Sequence, residues 1–147
     1  FKAFDNEKFL LVHIRRSDFL EVDEFKELNF SDKAWINGIL KLCEIKSLKK
    51  VVIFSDSKIS KFLLSSLEIK GLKVLVPEIN NINENFLKLF FTYVYNSSSI
   101  ICNASSLVLS LSFLSHEYIY LPSKKNDLQK VLLNDAHKLS PTSLNWS

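Results

Sequence analysis

The stretch FLLVHIRRSDF, residues 9–19, runs five apolar residues and a histidine together and sets Arg15, Arg16 and Asp18 directly behind them. An apolar run of this length without polar alternation predicts a strand covered on both faces, as in a parallel sheet, rather than one half-open to water. The charged residues then fall at the strand's carboxyl end. Two adjacent guanidiniums bracketed by His13 and Asp18 form a compact set of anion-binding and hydrogen-bonding groups, more than the end of a strand requires.

Outward from this strand (9–14), the pattern alternates. Residues 31–45 predict a helix opened by Ser31 as N-cap, with Ile36, Ile39, Leu40 and Cys43 at helical spacing. KVVIFS (50–55) is the next strand, an amphipathic helix over 57–70 is stopped by Gly71, and KVLVP (73–77) is a third strand closed by Pro77. A helix over 83–96, a strand over 99–102, a helix over 105–115, a strand over 118–122 and a last helix over 126–137 complete the order. Five apolar strands alternating with helices predict an α/β fold, a mostly parallel sheet of about five strands with helices on both faces and right-handed crossovers.

At 147 residues, with 47% hydrophobic content and twelve phenylalanines, the chain can bury one substantial core, which predicts a single domain over 1–147. A net charge of +3, with lysines mixed among acidic residues, gives no basis for a nucleic-acid surface, so any anion site has to be local. No window approaches the roughly 18 consecutive apolar residues of a membrane-spanning helix, and the opening FKAFDNEK lacks the apolar core of a signal peptide. Cys43 and Cys102 lie in apolar segments with no second Cys or His at metal-ligand spacing, and read as buried free thiols of a reducing compartment, with a disulfide as the alternative. The expectation is a cytoplasmic chain, or one peripheral to the inner membrane. The absence of any methionine reads as a fragment of something longer.

In parallel sheets ligands bind outside the carboxyl ends of the strands. His13, Arg15, Arg16 and Asp18 follow the first strand at that rim, Ser55, Asp56 and Ser57 follow the second, and Asn103, Ala104, Ser105 and Ser106 follow the fourth and lead into a helix start. Unpaired N–H groups and small hydroxyls at a helix start suit a phosphate. Only two glycines occur, Gly38 and Gly71, and neither belongs to a GxGxxG or P-loop pattern. The predicted phosphate site is therefore made of arginine forks and a serine-rich helix start.

VHIRRSDF resembles the His-x-Arg-Arg-x-Asp motif of the fucosyltransferases that share a GDP-fucose site, most closely the bacterial α-1,2-fucosyltransferases of glycosyltransferase family 11 type. VVIFSDS resembles that group's Phe-Ser-Asp-Asp segment, and SIICNASSLVLSLSFLS its Ile-Ile-x-Asn-Ser-Ser-Phe-Ser-Trp-Trp stretch. The order and spacing of the three motifs are similar to the family's, over about residues 9–122.

The resemblance implies a metal-independent, inverting glycosyltransferase with two Rossmann-like lobes of GT-B type. This chain would be the C-terminal, nucleotide-binding lobe, with the N-terminal acceptor lobe absent. By position, Arg15 would grip the β-phosphate of GDP-fucose, Arg16 would brace the loop or add charge, and His13 would lie against the nucleotide. Asp56, Asn103, Ser105 and Ser106 would complete the donor site. Asp18 is the nearest candidate for the base that deprotonates a glycan hydroxyl, or it orients the arginines. GDP-fucose would be substrate, no cofactor is implied, and a surface polysaccharide is the expected product.

Ser57 stands where the group has its second Asp, Val108–Leu111 replace the paired tryptophans, and KLFFTY lacks the acidic residue that reads guanine in the family. A catalytically degenerate lobe that binds a nucleotide or sugar, or serves as a scaffold, is the alternative. A receiver-like domain with Asp56 as its acid is a third reading, disfavoured because HIRRSD sits where an acidic pair belongs. Asp56 could equally cap the following helix. His116 and His137 read as solvent-facing helix-end residues, Trp35 as core and Trp146 as packed tail. The sequons at Asn29, Asn96, Asn103 and Asn145 follow from a composition rich in Asn and Ser; a glycan on Asn103 would block the proposed phosphate seat.

Overall fold

In the computed structural model the described residues are 7–16, 29–78, 84–103, 106–122 and 128–134. They form strands β1 (Phe9–Ile14), β2 (Lys50–Ser55), β3 (Lys73–Leu75), β4 (Ser99–Cys102), β5 (Tyr118–Pro122) and β6 (Leu128–Leu132). Between them lie helices α1 (Asp32–Lys46), α2 (Lys61–Ile69), α3 (Glu84–Asn96) and α4 (Ser106–Ser112). The sheet order is β3-β2-β1-β4-β5-β6, parallel except for β6, which pairs antiparallel with β5. Chain order thus reverses between β1 and β4, where the first half-sheet is built outward to one side and the second to the other.

The strands are the apolar runs. Leu10, Leu11, Val12 and Ile14 of β1 and Val51, Val52 and Ile53 of β2 are fully buried, as a sheet covered on both faces requires. Alternation sends Phe9 and His13 to one face of β1. There Tyr93 of α3 meets the Phe9 ring edge-on and Phe90 packs 5.6 Å from the His13 ring. The opposite face takes α1. A Cβ at Gly38 would lie 3.1 Å from Ile101 Cδ1 and 3.3 Å from Pro122 Cβ, so α1 approaches β4 and β5 closely only because this position carries no side chain. α2 packs beside α1, and α4 beside α3. No described helix is long and apolar enough to cross a membrane.

Caps set the helix ends. Ser31 accepts from the Ala34 N–H at 3.2 Å, as expected, and Ser60 accepts from the Leu63 N–H at 3.1 Å. α2 therefore starts at Lys61, four residues later than residue 57, and Asp56 is not its cap. Gly71 ends α2 with φ +86°, its N–H donating to the Glu68 carbonyl, a conformation that suits glycine.

The last predicted helix, over 126–137, is instead strand β6 in its described part, followed by a short turn at Leu133 and Asn134. Only five residues, 123–127, separate β5 from β6, far fewer than the dozen or so that a parallel crossover needs, so the chain can return only antiparallel. That return also covers the open edge of β5. His116, expected to face solvent, is half-buried beside β5, with its ring at 2.9 Å from the Ser97 carbonyl and 2.7 Å from Ser115 Oγ. Burial pulls its pKa down, partly offset by the bond to that carbonyl. Trp35 is fully buried, as expected of core. Trp146 and His137 lie outside the described residues.

Candidate functional site

The carboxyl ends of β1, β2 and β4 meet at one rim, and backbone hydrogen bonds from side chains tie them together. Past the β1–β4 ladder, whose last pair is His13 with Cys102, the Arg15 N–H donates to Asn103 Oδ1 at 2.9 Å. Asn103 Nδ2 donates back to the Arg15 carbonyl at 2.7 Å. On the other side, past the last β1–β2 pair of Ile14 with Ser55, the Arg16 N–H donates to Asp56 Oδ1 at 2.9 Å. The two-arginine turn is thus held from both neighbouring strands.

The two guanidiniums differ in their surroundings. Arg16 Nη2 donates to Asp32 Oδ1 at 2.5 Å and reaches the Phe30 carbonyl at 3.5 Å, while Ser60 Oγ donates to the other Asp32 oxygen at 2.7 Å. Burial pushes the Asp32 carboxyl up, but the hydrogen bonds from Ser60 and Arg16 and the Arg16 charge outweigh it, so its pKa lies below the usual carboxylate range. Arg16 thereby links β1 to the first turn of α1 and, through Asp32, to the cap of α2. Arg15, half-buried, leaves the rim one residue earlier, and its charge is felt at His13.

His13 lies on the α3 side of the rim, between Phe90 and the turn. Burial pulls its pKa down to about 4, with the Asp56 charge opposing and the Arg15 charge assisting. The imidazole is therefore neutral at physiological pH. Its Nδ1 is buried with no hydrogen-bond partner. A neutral ring against an aromatic wall suits contact with a planar or apolar surface better than proton transfer.

Beside Asp56, between the ends of β2 and β3, opens a cleft of about 420 Å³ with a polar lip of Ser55, Asp56 and Ser57 and an apolar floor that includes Ile59, Val76 and Pro77. Ser55 Oγ accepts from the Ser57 N–H at 3.2 Å and fixes that lip. A second cleft, about 400 Å³, lies at the opposite, amino edge of the sheet between Phe113, Leu114, His116 and Leu132, and no arginine lines it. Asp18 and Ser105 lie outside the described residues. Ser106 is the first residue of α4, which starts at the same rim as Asn103.

Cys43 and Cys102 are buried free thiols, pushed up by burial to about 11 and about 12, so neither is a nucleophile at neutral pH. Among the described residues, no three metal-ligating side chains gather. Asp32 is the participant that sequence reasoning missed. Its signal was an acidic residue directly after the Ser31 cap, which reads as ordinary helix-start chemistry.

No family model and no curated protein sequence matches this chain. Nine chains of solved structures do match. One is the crystal structure of POFUT1 in complex with GDP-fucose, which superposes with a TM-score of 0.61 at 14% sequence identity over 76% of this chain. The match spans 39% of the POFUT1 chain. What this chain shares with it is the fold, which here is a six-stranded, mostly parallel α/β sheet with helices on both faces.

Proposed function

We propose that this chain is the donor-binding lobe of a glycosyltransferase that moves fucose from GDP-fucose to a glycan hydroxyl. The observation that carries the reading is the position of Arg15 at the point where strand order reverses, on a fold shared with a protein solved with GDP-fucose. The diphosphate sits against Arg15, and the hydroxyls of Ser105 and Ser106 are assigned to it from the motif alone. The nucleoside extends past His13 toward Asp56 and the cleft between β2 and β3.

In the transfer, the bond between the sugar's anomeric carbon and the β-phosphate oxygen breaks and its electron pair stays on GDP. The acceptor oxygen attacks the opposite face, which inverts the centre, and its proton passes to a base, for which Asp18 is the nearest carboxylate in the motif. Arg15 meets the charge that grows on the leaving diphosphate, and a fixed cation there lowers the barrier without a metal. The α-1,2 linkage, a surface-polysaccharide acceptor and an N-terminal lobe that presents it belong to the same proposal, as does a cytoplasmic setting.

A full-length assay against a panel of GDP- and UDP-sugars tests this. Fucose transfer from GDP-fucose is expected, with Arg15→Ala lowering turnover by about 100-fold or more; unchanged turnover in that variant contradicts the assignment. A second reading, a lobe that binds without transferring, is favoured by Ser57 in place of the second Asp and by the commitment of Arg16 to Asp32. GDP binding with no transfer from any donor would support it.

A further inference from the structure

The motif that contains Asn103 suggests a ligand contact, yet the residue is fully buried and offers no surface for a ligand to touch. We propose that Asn103 is a positioning residue: its carboxamide, bonded at both ends to the backbone of Arg15, extends the β1–β4 ladder by one artificial rung and fixes where Arg15 presents its guanidinium. This rests on the proposed function only in assigning a diphosphate to that guanidinium.

The geometry explains the residue type. Beyond His13 and Cys102 the two strands stop pairing, so the Arg15 N–H and C=O lose their neighbours at a point where the sheet opens. A carboxamide carries a carbonyl and an N–H on one carbon, the same pair a peptide group offers, and can serve both Arg15 groups at once. Aspartate lacks the donor, serine is too short to offer both, and glutamine places the group one methylene too far. Complete burial keeps water from competing for either bond. It also removes the Asn103 sequon from reach of glycosylation in the folded chain. Asp56 supports the next residue from the β2 side by accepting from the Arg16 N–H.

The full chain serves for the test, with Asn103→Leu, close to asparagine in shape but able to make neither bond, and Asn103→Ala as a second variant should the first fail to fold. In either, amide hydrogen exchange at Arg15 should accelerate by about tenfold or more, while the Leu11 and Val12 amides at the centre of β1 keep their protection. Equal acceleration of all three, or an unchanged Arg15, overturns the proposal. GDP titration supplies the second readout: Asn103→Leu should weaken binding by about tenfold, and the double variant with Arg15→Ala should bind no more weakly than Arg15→Ala alone. Losses that multiply would show a role independent of Arg15. If the unmodified chain binds no GDP, the donor reading falls, and the exchange rate at Arg15 decides the clamp by itself.

Discussion

Arg15 and Arg16 are adjacent in the chain and end in different surroundings. Arg16 closes a partly buried pair with Asp32, so Arg16→Ala removes the cation that answers this carboxylate, keeps the Ser60 bond, and should lower stability by about 1–2 kcal/mol in urea denaturation. Arg15→Ala should lower ligand affinity. The pair of arginines was legible in the sequence; the division between them was not, because it depends on Asp32, sixteen residues away, being carried to the rim by α1. His13 gives a second test. Its pKa falls from 6.5 to about 4 on folding, so between those values the unfolded chain holds more protons than the folded one. The stability owed to a neutral His13 is therefore complete above about pH 6.5 and is lost as the pH drops toward 4. His13→Gln should flatten the pH dependence of stability across that window by roughly 2 kcal/mol. An unchanged slope would mean that the ring is solvated.

At the scale of elements, the strands and most helix ends follow from local chemistry: apolar runs for β1, β2 and β4, serine caps for α1 and α2, glycine at the end of α2. The element that misled is β6. LQKVLLND carries a helix-like spacing of apolar residues, and what overrides it is tertiary: an uncovered edge on β5 and a five-residue connection that admits only an antiparallel return. Gly38 is a point of close approach between α1 and the sheet. Gly38→Ala gains helix propensity of about 1 kcal/mol and meets contacts of 3.1–3.4 Å with the ends of Ile101 and Leu128 and with Pro122, so the two effects nearly cancel. Gly38→Leu cannot be accommodated and should destabilise by about 2 kcal/mol or more, seen as a lower thermal midpoint.

For the whole molecule, the alternation of strands and helices made the fold class readable, and with it the expectation that the functional residues gather at the carboxyl ends of the strands. The strand order was not readable. That β1 and β4 are neighbours, and that Arg15 and Asn103 therefore meet although 88 residues apart, follows only from the folded sheet. The sequence put His13 near the end of the first strand and Arg15, Arg16, Asp56 and Asn103 just past strand ends; in the structure Asn103, Asp56 and Asp32 bond to the backbone and side chains of the arginine turn. The most direct test of this account is a GDP titration followed by backbone chemical shifts. The account predicts shifts concentrated at His13–Arg16, Ser55–Ser57 and Asn103, absent in Arg15→Ala at the same GDP concentration. Shifts centred instead on Phe113, Leu114 and His116 at the amino edge, or none at saturating GDP, would contradict it.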